Sequence, residues 1–140
     1  MKRNYYNEKR AVQAAAIFAK LAGGTIDKYF LCKVMYYLER QTMVETGQPL
    51  FHANLYSAPL GPVASEVNHG IDAVVPPRNK SSYYQVNSHP DWESHFDRSG
   101  ESNLHLAEKP GDGELSPSDI NRIYKIYEKF KNFSYLVSNL

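Results

Sequence analysis

The stretch SAPLGPVASEV, Ser57 to Val67, places two prolines and a glycine within four residues, between a segment that alternates like a strand and one that repeats like a helix. Each proline fixes φ at about −65° and restricts the residue before it, so a joint of this kind has few conformations to lose on folding. Upstream, Phe51, Ala53 and Leu55 alternate with His52, Asn54 and Tyr56, which predicts a short strand. Downstream, Val63, Val67 and Ile71 step by four and predict a third helix, with Pro62 as its first residue, where a missing N–H goes unused anyway. Pro76-Pro77 ends that helix.

Further out on the N-terminal side, Asn7 is placed to cap a first helix running to Leu21 or Ala22, and Gly23-Gly24 stops it. Thr25 is then expected to cap a second helix, in which Ile26, Phe30, Val34 and Leu38 repeat at four residues and Leu31 and Met35 widen the apolar stripe. Gly47 and Pro49 mark its end. On the C-terminal side, residues 81–114 are rich in Ser, Asn, Asp and Gly, with strand-like pieces at Tyr83 to Val86 and Asn103 to Ala107. Tyr83, Tyr84, Trp92, Phe96, Leu104 and Leu106 need burial there, so a small β region is expected and not a linker. The last helix has Ser116 as N-cap, Pro117 at the first position and Asp119 at the third, a variant of the capping box, with Leu115 and Ile120 as a hydrophobic staple. Its apolar face is expected to hold Ile120, Ile123, Tyr124, Tyr127 and Phe130, with Phe133, Tyr135, Leu136 and Leu140 forming a final turn or short helix. The expected fold is a single α+β domain over residues 1–140, mainly helical with four to five helices and a small antiparallel sheet or hairpin.

A chain of 140 residues has room for one core. Its 16 Lys and Arg against 15 Asp and Glu give a net charge of +1, so no global field draws it to nucleic acid or acidic lipid. Glu8, Glu39 and Glu128 interrupt the basic residues along the chain, which argues against a groove-facing basic stripe and for weak salt dependence of any binding. No apolar window reaches the roughly 18 residues of a membrane span, and MKRNYYNEKR is not followed by an unbroken apolar run. Cys32 has no partner in the chain and is read as a small buried hydrophobe. These features predict a cytoplasmic protein without a membrane partner.

The five histidines lack metal-ligand spacing, and neither a G-x-S-x-G elbow nor a phosphate-binding glycine loop is present, so no metal, cofactor or catalytic group is expected. Tyrosine is the exception to an ordinary composition: 11 of 140 residues, several in adjacent pairs such as Tyr36-Tyr37. Neighbours on a helix point in directions about 100° apart, so one member of a pair is expected nearer the surface, where tyrosine suits either a binding patch or the rim of a core.

A helix with LCKVMYYLER, a helix end at ETGQPL, a strand and then APLGPVASEV together resemble the Panacea domain, also called the SocA-like antitoxin domain. The matching positions are Leu31, Lys33, Val34 and Tyr36 in the helix and Gly61, Pro62 and Val63 at the joint, with Leu60 where the family usually has tyrosine. The resemblance implies an antitoxin that neutralises a cognate protein toxin by direct contact, toxins of the small-alarmone-synthetase-like class among the partners. It leaves a proteolytic adaptor and a DNA-binding autoregulator as alternatives. Leu31, Lys33, Gly61, Pro62 and Val63 are expected to be structural. Tyr36, Tyr37, Tyr56 and Leu60 are the expected contacts, a rigid apolar corner beside helix tyrosines being suited to a preorganised interface. For Leu60, filling the core is the competing reading.

Overall fold

The computed structural model describes residues 5–59, 61–77 and 89–138, residues 133–138 by their backbone alone. Helix α1 (Glu8–Leu21) starts where Asn7 accepts the N–H of Arg10 at 3.0 Å. Ala11, Ala14, Ala15, Ala16 and Ala19 are buried, and these small side chains let α1 lie in close contact with elements on several sides. The helix stops as expected at Gly23 and Gly24, whose φ values are 96° and 102°, a left-handed backbone that glycine adopts without strain.

The chain then enters a strand, β1 (Thr25–Asp27), and not the expected helix cap at Thr25. Asp27 is the cap of α2 (Lys28–Thr46), its carboxylate accepting the N–H of Phe30 at 3.0 Å. Ile26 and Phe30 are both buried, but on different elements: Ile26 stands opposite Leu104 in a strand pair. Their four-residue step therefore mimics a helical repeat. Helix α2 ends at Gly47, φ 78°, as the sequence predicts.

Residues 50–54 do not form the expected strand. The N–H groups of Leu50, Phe51 and Ala53 are given to the buried carboxylate of Glu39, and His52 turns to φ 59°. The strand begins later, as β2 (Leu55–Ala58), and pairs antiparallel with β3 (Gly61–Ala64). The SAPLGPVASEV joint is thus a hairpin running into a helix, and Pro62 is a strand residue opposite Ser57, not the first residue of the helix. Having no N–H, Pro62 can occupy only a position whose donor side faces away from its partner strand. Gly61 has φ 126°; Leu60 lies outside the described residues. Helix α3 (Ser65–Val74) follows, and Val63, expected on it, sits in β3. Glu66 of α3 holds the hairpin's base, accepting from the backbone N–H and side-chain amide of Asn54 at 2.8 and 2.9 Å.

Within the stretch expected to be a β region, Pro90–His95 form a short helix, α4, followed by β4 (Phe96–Ser99) and β5 (Asn103–Leu106). The expected piece at Tyr83 to Val86 lies outside the described residues. A three-stranded sheet has the order β1-β5-β4, all antiparallel. Trp92, Phe96 and Leu104 are buried as the sequence requires, and Leu106 is half-buried against the same core. The indole of Trp92 lies directly over Gly70 of α3, where a side chain would overlap the ring. Helix α5 (Pro117–Ser138) opens with the reciprocal bonds of a capping box, Asp119 N–H to Ser116 Oγ at 3.0 Å and Ser116 N–H to the Asp119 carboxylate at 2.9 Å. Ile120, Ile123, Tyr127 and Phe130 face the core as expected, but Tyr124 is 47% exposed and Ile126 is buried instead. Residue 126 completes the three-and-four spacing with 123 and 130; residue 124 falls off that face. The expected separate final turn is part of α5, which runs without a break through residue 138.

Candidate partner-binding surface

Helix α2 carries most of the family-like motif, and its two sides are chemically different. On the inner side, Leu31, Val34, Met35 and Leu38 are fully buried. Three polar residues are buried with them, and all three are satisfied. Glu39 Oε1 accepts from the N–H of Leu50 at 2.6 Å and of Phe51 at 3.1 Å, and Oε2 accepts from Ala53 at 2.7 Å. Burial raises the pKa of this carboxyl group against the opposing pull of the three N–H donors. Lys28 Nζ donates to Asp72 Oδ1 and to the carbonyl of Val75, both at 2.9 Å, tying α2 to the end of α3. Thr42 Oγ1 donates to the Leu38 carbonyl at 2.7 Å. Cys32 is half-buried, and burial pushes its thiol up to about 12, far from the range of a reactive thiolate.

The outer side repeats at three and four residues through Tyr29, Lys33, Tyr36, Arg40 and Val44. Tyr29 is 63% exposed and Val44 72%, large values for an aromatic and a branched aliphatic side chain; Met43, beside them, is 46% exposed. Tyr36 is half-buried, its ring edge-on to Tyr37 with centroids 5.4 Å apart. Tyr37 stacks on Phe130 of α5 at 4.6 Å and an interplanar angle of 21°. A groove of about 230 Å³ opens beside this stack. Tyr37, Gln41 and Glu45 of α2 form one wall, and Arg122, Lys125, Ile126 and Lys129 of α5 the other. At one end Arg122, itself buried, donates to Glu45 at 3.3 Å and to Asp119 at 3.1 Å. Hydrogen bonding from Gln41, and then Arg122, lowers the pKa of Glu45.

Of the expected contact residues, the structure brings Tyr36 and Tyr37 together. Tyr56, on β2, is 51% exposed; it makes no ring contact with that pair among the described residues. The hairpin rests on α2 through β3, which leaves β2 as the outer strand. Leu60 lies outside the described residues. The expected structural residues divide: Leu31 is fully buried, Val63 half-buried and Gly61 left-handed, whereas Pro62 is exposed and Lys33 half-buried on the outer side of α2. Tyr29, Met43 and Val44 were not singled out by the sequence reading. Their signal was available in the three-and-four spacing from Lys33 and Arg40, but the inner stripe of the same helix has that spacing too.

No helix among the described residues is long and apolar enough to cross a membrane. A family model described as "Antitoxin SocA-like, Panacea domain" matches residues 31–137, from the inner face of α2 through most of α5, and the chain belongs to this family. Helix α1 precedes the matched residues, although its apolar side chains complete the same core. No curated protein and no solved structure matches the chain.

Proposed function

We propose that the protein is the antitoxin of a toxin–antitoxin pair and neutralises its toxin by direct contact in the cytoplasm, with no catalytic step of its own. The observation that carries this reading is the outer side of α2. Within a region belonging to an antitoxin-like family, it presents exposed aromatic and aliphatic area on a rigid helix whose inner side is fixed by buried polar bonds. Tyr36, Tyr37, Tyr56 and Leu60 are the contacts proposed, aromatic area being the commonest source of binding energy at such surfaces. A small-alarmone-synthetase-like toxin is the partner class proposed. A DNA-binding autoregulator gains no support from α3, which carries Glu66 and Asp72 and neither lysine nor arginine.

Co-expression with the product of the neighbouring open reading frame tests the proposal. Growth is expected to be rescued and the two proteins to co-purify in a stable complex. Rescue that needs a cellular protease and leaves no complex would establish the adaptor alternative instead.

A further inference from the structure

The net charge of +1 conceals an uneven distribution. Along the chain, acidic residues interrupt the basic ones; on the outer stripe of α2 from Tyr29 to Val44 they do not. Glu39 is turned inward to three backbone N–H groups. Glu8 accepts from the N–H groups of Asp91 and Trp92 at the start of α4, at 3.2 and 3.4 Å. Glu45 is held by Gln41 and Arg122. Glu128 pairs with Lys131 at 3.0 Å, away from the groove. What remains on that stripe is basic and apolar, with Glu45, its side chain 47% exposed, beside it in the groove wall. Lys33 and Arg40 alternate with Tyr29, Tyr36 and Val44, and Lys125 and Lys129 stand on the α5 rim across the groove. Among the described residues none of these four cations has a carboxylate within salt-bridge distance; Lys129 instead lies over the Phe130 ring, 5.5 Å from its centroid.

We infer that this face receives an acidic, amphipathic segment of the partner protein, its apolar side on Tyr29, Tyr36 and Val44 and its carboxylates beside Lys33, Arg40, Lys125 and Lys129. The inference rests on the antitoxin reading and specifies where and by what chemistry the toxin is held. From Tyr29 to Val44 the helix rises about 22 Å at 1.5 Å per residue, which matches a partner helix of about four turns or an extended segment of about seven residues. A protein segment fits better than nucleic acid. Val44 at 72% and Met43 at 46% exposure offer aliphatic area that a phosphate backbone does not cover, whereas an amphipathic segment does.

The test uses the full chain and the product of the neighbouring open reading frame, with binding measured by titration calorimetry and folding checked by thermal melts. Lys33→Glu with Arg40→Glu is expected to weaken binding by about 30-fold or more, and Lys33→Gln with Arg40→Gln by less, both with unchanged melting; Lys20→Glu, on exposed α1 surface, should leave binding unaltered. Wild-type affinity should fall about tenfold between low and moderate salt. If the wild-type complex forms and all variants bind like wild type, the proposed surface is wrong and the antitoxin reading stands. Absence of both rescue and complex for the wild type overturns that reading itself. Binding of a mixed-sequence DNA duplex that the double glutamate variant loses, with toxin binding intact, would assign the face to nucleic acid and overturn the inference.

Discussion

The two sides of α2 use the same kinds of residue in opposite ways. Inside, Lys28 and Glu39 are buried, and each is engaged by named partners on α3 and in the 50–54 loop. Outside, Lys33 and Arg40 stand among tyrosines, and among the described residues neither has a carboxylate within salt-bridge distance. A buried charge is tolerated only when fully hydrogen-bonded, so the inner polar groups hold the fold in position. An exposed cation keeps its hydration and stays available to a partner. The difference implies that inner substitutions change stability and outer ones change binding.

The severest expected break of that rule is Glu39→Ala. It leaves the N–H groups of Leu50, Phe51 and Ala53 without their acceptor, and stability measured by urea midpoints should fall by about 3 kcal/mol or more. Glu39→Gln, which keeps an acceptor oxygen, should cost less. The pH dependence of that second variant sharpens the point. Burial raises the Glu39 pKa, so the folded state prefers the protonated carboxyl. Its stabilising contribution is therefore greatest in acid and is lost as pH rises through the raised value. The stability gap between wild type and Glu39→Gln should narrow from about pH 4 to about pH 7. A gap that widens would mean that the three N–H donors outweigh burial.

Gly70→Ala extends the comparison to α3. A methyl group there meets the Trp92 indole, and overpacking of this kind costs about 1–3 kcal/mol; a shift of the single tryptophan's emission should accompany the loss. Ser116→Ala removes the acceptor for the Asp119 N–H and should cost about 0.5–2 kcal/mol, read from denaturant midpoints. The smallest effects belong to the outer side. Tyr29→Ala and Val44→Ala should each change stability by no more than about 0.5 kcal/mol. Loss of the folded circular dichroism signal in either variant would show that the outer side belongs to the core, and the distinction between the two sides would collapse.

The hairpin and the capping box differ in how far the sequence exposes them. Ser116, Pro117 and Asp119 act within one helical turn, and their reciprocal bonds form as the residue types require. Pro59, Gly61 and Pro62 are equally conspicuous, yet they read as the entry to a helix. Nothing local distinguishes a proline at a helix start from one in a strand whose N–H side is unused. The same limit explains Ile26. Its burial was legible, but its place in β1 depends on β5, nearly 80 residues away in the chain.

The sequence by itself determined the helix caps at Asn7 and Ser116, the stops at Gly23-Gly24 and Gly47, the buried set around Leu31, Trp92 and Leu104, and the mixed helical and β class, because each depends on residues within a few positions or on hydrophobicity alone. It also carried the motifs of LCKVMYYLER and LGPV that point to the antitoxin-like family. Only the tertiary structure decided that Glu39 faces inward to the 50–54 loop, that the Pro-Gly-Pro joint is a hairpin, and that Lys125 and Lys129 of α5 line a groove beside α2. Those outcomes depend on which distant backbone groups and helices come within hydrogen-bonding and packing distance. A sequence records the charge of Glu39 and of Arg40 side by side; the fold turns one toward three amide donors and the other toward solvent.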